Sequence, residues 1–182
     1  MNESEKSSVP PKNKRVALIF ITLKDTGRPG KTKAVIHFEK RGNQDGSATQ
    51  KWNGVLLPTF GCKVMPHEEA EYALMQGLVK KYGSFLTANI YSIMKEGGFD
   101  SKILIGDDDT TVYGLVIPKE LIDDLYPKRI RNNLVKVTRN NMSQLVDARQ
   151  EWKHQPPNIK NAKMVFSKHR EAVLMAIKKY CH

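Results

Sequence analysis

Apolar and polar positions change period several times along the chain. Val16 to Ile21 is an unbroken apolar run, and the β-branched stretch over 15–24 predicts a strand. Residues 31–40 then alternate, with Lys33, Val35, His37 and Glu39 against Ala34, Ile36 and Phe38. That alternation predicts a second strand with His37 turned to solvent. Between the two, Asp25-Thr26-Gly27-Arg28-Pro29-Gly30 has turn chemistry, so the pair reads as a hairpin. Residues 52–64 hold short strand material interrupted by Gly54, Pro58 and Gly61. From Pro66 the period becomes helical. Glu68, Glu69 and Glu71 suit a first turn, Leu74, Leu78 and Tyr82 form a stripe at four-residue steps, and Gly83 is a stop signal. A second helix over 84–96 turns Leu86, Ile90, Ile93 and Met94 inward.

Two more strands follow over 102–105 and 111–117, joined by the acidic turn Gly106-Asp107-Asp108-Asp109-Thr110. Pro118 opens a short helix to about Tyr126, and 134–138 is a last short strand. Helices are predicted over 141–153 and 166–180, on either side of Gln155-Pro156-Pro157-Asn158. The last keeps Val165, Phe166, Val173, Leu174 and Ile177 on one side and Lys168, Arg170, Lys178 and Lys179 on the other. The predicted class is α+β: an N-terminal antiparallel hairpin or sheet, a central helical hairpin followed by a β-hairpin, and C-terminal helices. Residues 1–11 read as a disordered polar tail and 12–182 as a single domain, with a β-rich block over 12–65, a helix-helix-hairpin block over 66–127 and a basic helical block over 128–182.

Charge sharpens this picture. The 182 residues carry a net charge of +11, with 30 basic against 19 acidic side chains. Residues 12–41 hold nine basic and two acidic side chains, 42–127 hold seven and twelve, and 128–182 hold thirteen and three. Two basic ends around an acidic middle suggest an anionic partner. The cationic candidates are Lys12, Lys14, Arg15, Arg28, Lys31 and Lys33 at one end, and Lys128, Arg129, Arg131, Lys136 and Arg139 at the other. Arg and Lys meet phosphates, and the neighbouring Asn132, Asn133, Asn140 and Asn141 can reach base edges. No apolar run reaches the length of a bilayer span, and the polar N-terminus lacks the apolar stretch of a secretory signal. Cys62 and Cys181 cannot make a disulfide framework. A cytoplasmic location is expected, or a nuclear one in a eukaryotic setting, with membrane an improbable partner.

No motif for catalysis is complete. Asp25 to Thr32 resembles a phosphate-binding Walker loop, but Asp25 stands at the first glycine position and a strand pattern follows where a helix is required. The Asp107-Asp108-Asp109 turn resembles the acidic hairpin of viral polymerases, though three successive carboxylates point in alternating directions. A metal nuclease would pair a strand Asp with a nearby Glu-x-Lys; Glu39 with Arg41 and Asp109 with Glu120 are the nearest approaches, and neither matches. His37, His67, His154, His169 and His182 have no zinc spacing with the cysteines. Residues 66–99 resemble a helix-turn-helix, with Thr87, Asn89, Tyr91, Ser92 and Lys95 on the recognition helix and the 102–117 hairpin in the place of a wing. Val116-Ile117-Pro118-Lys119-Glu120-Leu121 is similar to a strand-Pro-Lys-Glu-helix step in swapped-hairpin bacterial transcription regulators.

Taken together, these features predict a small, non-enzymatic nucleic-acid-binding protein, DNA first, that grips the phosphate backbone with its basic ends. No catalytic residue, metal ligand, cofactor or small-molecule substrate is expected. The alternatives are a phage- or plasmid-type protein that inhibits a host machine such as a nucleic-acid-guided defence enzyme, its acidic middle meeting a host protein, and a viral matrix-type protein on an anionic membrane.

Overall fold

The computed structural model describes residues 14–40, 55–128, 131–147 and 163–181. Strands β1 (Arg15–Asp25) and β2 (Thr32–Lys40) form the expected antiparallel hairpin, with Phe20 opposite His37 and Asp25 opposite Thr32. The Thr26 amide and hydroxyl both donate to the Lys31 carbonyl, and the Gly27 amide donates to Asp25 Oδ1. A strand thus follows the Walker-like loop where a phosphate-binding loop would open a helix.

The remaining elements are β3 (Leu56–Pro58), β4 (Phe60–Lys63), α1 (Ala70–Lys95), β5 (Ile103–Gly106), β6 (Thr110–Val116), α2 (Lys119–Leu125), β7 (Leu134–Val137), β8 (Leu145–Asp147), β9 (Lys163–Val165) and α3 (Ser167–Tyr180). All nine strands of the described residues belong to one mixed sheet, in the order β5-β6-β1-β2-β3-β9-β8, with β4 also paired to β1 and β7 to β2. Strand β1 is its axis. It runs parallel to β6 over Arg15–Ile21, and on its other side it pairs first with β4 over Arg15–Leu18 and then with β2 over Phe20–Asp25.

Helices cover both faces of that sheet, which explains why β1 is continuously apolar and not alternating. Val16, Leu18 and Phe20 pack with Leu74, Leu78, Ile90 and Met94 of α1 and with Leu121, Ile122 and Leu125 of α2. Ala17, Ile19 and Ile21 join Ala34, Ile36 and Phe38 against Ala172, Val173 and Ala176 of α3. The α+β class is as predicted, arranged in three layers. Helix α1 contains the two predicted segments in direct succession, separated at Gly83, whose φ of 82° a side chain would strain.

Four expectations are corrected. The hairpin β5–β6 is not a wing: β6 lies in the sheet beside β1, so residues 66–117 do not form a winged helix-turn-helix. The helix predicted over 141–153 is absent at its start, where a 3-10 turn over 139–144 leads into strand β8 and the rest lies outside the described residues. Leu174 is 41% exposed because α3 buries the narrower stripe Ala172, Val173 and Ala176. His37 does not face solvent. It is 2% exposed, since α1 and α2 cover the face its alternation assigns to water.

That burial has a measurable consequence. His37 Nε2 lies 2.9 Å from Thr22 Oγ1, and Nδ1 has no partner among the described residues. Burial first, then the charges of Lys136 and Lys24, hold the His37 pKa down at about 4, and burial with Arg15 does the same for His169. An unfolded histidine titrates near 6.5, so between pH 6.5 and 4 the unfolded chain takes up protons that the folded chain refuses. Stability is therefore expected to fall as pH drops through that window, by up to a few kcal/mol per histidine. Thermal melting from pH 7 to pH 4 should show this, with a shallower slope in His37→Gln; a flat profile would refute it.

Candidate functional site

Between Leu18 and Phe20 strand β1 exchanges one neighbour for another, and the ladder is interrupted. Thr59, between β3 and β4, repairs the gap. Its hydroxyl donates to the Leu18 carbonyl at 2.8 Å and accepts the Phe20 amide at 3.3 Å. Its own carbonyl turns toward α1, where it accepts from Lys81 Nζ at 2.5 Å and from the Tyr82 hydroxyl at 3.1 Å. Lys81 and Tyr82 follow buried Leu78 by three and four residues, so helical periodicity brings both to the sheet-facing side of α1.

Glu39 completes the cluster from β2. It lies two positions after His37 and so shares its face of the strand. Its Oε1 accepts from Lys81 Nζ at 2.5 Å and from the Tyr126 hydroxyl at 2.5 Å. The Tyr82 and Tyr126 oxygens are 2.7 Å apart, so the single Tyr82 proton is shared between Tyr126 and the Thr59 carbonyl. Glu39 Oε2 has no hydrogen-bond partner among the described residues. The Lys81 and Glu39 side chains are 34% and 28% exposed, leaving the cluster open on one side. Arg131 stands beside it: Nε donates to the Tyr126 carbonyl at 3.2 Å, and Nη2 lies 3.1 Å from Asp123 Oδ1.

Both phenols stay protonated at neutral pH. Burial raises the Tyr126 pKa first, followed by the neighbouring Tyr82 and Glu39. For Tyr82 burial again dominates; the bond to Tyr126 opposes it, and Glu39 adds to it. The site therefore offers an ammonium, a guanidinium and one carboxylate with a free oxygen, while both hydroxyl protons are taken up within the cluster. That set can hold an anion and accept a proton.

A cleft of about 740 Å³ lies elsewhere, at the N-terminus of α1 and the β5–β6 turn. Lys14 and Arg15 line it with Glu68, Glu69, Asp107 and Asp108, so carboxylates outnumber cations and an anion is disfavoured. Asp107 is already engaged. Its Oδ2 lies 2.5 Å from Lys168 Nζ, its Oδ1 accepts the Asp109 and Thr110 amides, and these contacts lower its pKa. Among the described residues no three His, Cys, Asp or Glu side chains converge on a point.

The cationic residues singled out in the sequence are scattered. Lys14 and Arg15 line the cleft at one end of β1, whereas Arg28, Lys31 and Lys33 belong to the turn and strand beyond its other end. An 11-residue strand separates the two groups by roughly 30 Å. Lys136 sits on β7 opposite His37, exposed Arg139 starts the 3-10 turn, Lys128 follows α2, and Arg131 pairs with Asp123. Lys12 and Arg129 lie outside the described residues. Of those that are described, Arg131 adjoins the Glu39 cluster. Sequence reasoning missed Thr59, Lys81, Tyr82 and Tyr126, and weighed Glu39 only as a nuclease ligand. The one available signal was Lys81-Tyr82 at the end of the Leu74–Leu78 stripe.

This architecture has a solved counterpart. The fold is similar to that of a mutT/nudix family protein from Listeria innocua. The likeness covers 93% of this chain and 96% of the other, with a TM-score of 0.53 at 14% sequence identity. No family model and no curated protein matches the chain. The Nudix-like fold overturns the expectation of a non-enzymatic nucleic-acid binder, together with its helix-turn-helix, its nucleic-acid or host-protein partner, its role as a mobile-element inhibitor and its lack of a small-molecule substrate. The matrix-type alternative falls with them. Separately, no helix of the described residues is long and apolar enough to cross a membrane. Net charge misled here because it reports on solubility and nonspecific attraction, not on fold.

Proposed function

We propose that the chain is a hydrolase of small phosphorylated substrates of the nucleoside diphosphate class, and that the Glu39 cluster is where it acts. The observation that carries this is the Nudix-like fold, matched over nearly the whole of both chains. The chemistry of the cluster agrees with it. Hydrolysis of a phosphoanhydride needs water to bond to phosphorus while the bridging P–O bond breaks, and the water must give up a proton. Glu39 Oε2 is free to take that proton. Lys81 and Arg131 offset the charge on the phosphoryl oxygens, and the protonated Tyr82 and Tyr126 hydroxyls hold the Thr59 carbonyl and Glu39 Oε1 in place behind them.

The test is incubation of the purified protein with nucleoside diphosphates bearing varied β-phosphate substituents, with and without added Mg²⁺. Ion-exchange chromatography of the products reads release of the nucleoside monophosphate. Turnover of at least one compound is expected. No turnover of any member under either condition would refute the reading.

A further inference from the structure

We propose that the Lys81 ammonium takes the place of a divalent cation at this site and is itself the group that binds substrate phosphate. The phosphate identity rests on the hydrolase reading above; the cationic site does not. Enzymes that cleave phosphoanhydrides commonly recruit divalent ions, held by several converging carboxylates. The residues here do not fit such an ion. No three potential ligands converge among the described residues, and the carboxylate of the cluster, Glu39, already spends Oε1 on the Lys81 ammonium and the Tyr126 hydroxyl. A divalent ion seated on Glu39 would meet a fixed positive charge at hydrogen-bond range.

The ammonium is held from behind by groups of the cluster. Glu39 Oε1 and the Thr59 carbonyl take two of its three N–H groups, and the Tyr82 ring lies 5.1 Å away. The third N–H has no hydrogen-bond partner among the described residues, and the side chain is one-third exposed. The Glu39 contact holds the lysine in one orientation with a proton left to donate toward solvent. The Arg131 guanidinium beside Tyr126 adds a second positive group. An oxyanion approaching the open side would therefore meet preformed donors and need no metal.

Calorimetric titration with inorganic pyrophosphate in the presence of EDTA tests this. The wild type should bind, Lys81→Met should weaken binding about tenfold or more, and Lys81→Arg should stay within a few-fold of wild type. Lys81→Glu should lose pyrophosphate and, by pairing a second carboxylate with Glu39, gain Mn²⁺ binding that the wild type lacks, read from the free-Mn²⁺ resonance signal. Circular dichroism would establish that each variant is folded. The wild-type measurement decides the matter even if a variant fails to fold: no pyrophosphate binding, or binding only when Mg²⁺ is added, overturns the proposal. So does a folded Lys81→Met that binds as the wild type does. Metal-free binding through Lys81 without turnover of any nucleotide would instead sink the hydrolase reading alone. Turnover that requires Mg²⁺ and survives Lys81→Met would sink this proposal alone.

Discussion

Gly77→Ala is expected to destabilise the protein by about 2 kcal/mol or more, although the same change in an open helix is worth about 1 kcal/mol in the other direction. Gly77 lies in α1 where the helix crosses Phe60 of β4. A Cβ there would fall 2.1 Å from Phe60 Cζ and 3.0 Å from both Cε atoms, closer than any real contact allows. Phe60 has little freedom to yield: its ring is 9% exposed, and its backbone is held in register opposite Leu18. The helix must therefore lift from the sheet, and it would take Leu74, Leu78 and Lys81 with it. Thermal melting should show a loss on the order of 4–8 °C for a chain of this size. Phe60→Leu in the same chain should recover part of that loss, because the two changes share one contact. A melting temperature equal to or above the wild type would refute this account of the crossing.

Glu39→Gln should lower kcat by about 10²- to 10⁴-fold while leaving the fold intact. The amide oxygen can still accept from Lys81 and Tyr126, so the cluster keeps its shape, but the group no longer takes a proton near neutral pH. KM should change much less than kcat, since the donors toward phosphate remain. Tyr126→Phe removes one hydrogen bond and leaves the carboxylate in place, so its loss in kcat should be smaller. Steady-state kinetics on the best substrate from the nucleotide panel would separate the two. A Glu39→Gln enzyme within a few-fold of the wild-type kcat would remove Glu39 from the reaction.

The sequence by itself determined the local elements: the β1–β2 hairpin, the helical period from Leu74 to Tyr82, its break at Gly83, the acidic turn between β5 and β6, and the final helix. Those follow from interactions between residues near one another in the chain, namely turn chemistry, side-chain period and glycine conformation. Whether a face meets water or another layer is not local, and there sequence reasoning failed. His37 and Glu39 alternate like solvent-facing residues, and only the placing of α1 and α2 over them makes one a buried neutral imidazole and the other a site carboxylate. The 102–117 hairpin looked like a wing until its pairing with β1 put it inside the sheet. The candidate site lies furthest beyond the sequence's reach. Lys81 is 42 residues from Glu39, and Tyr126 is 87, so no spacing rule connects them. The sheet brings them together where β1 changes partners, and the low-dielectric surroundings then decide which protons each group keeps.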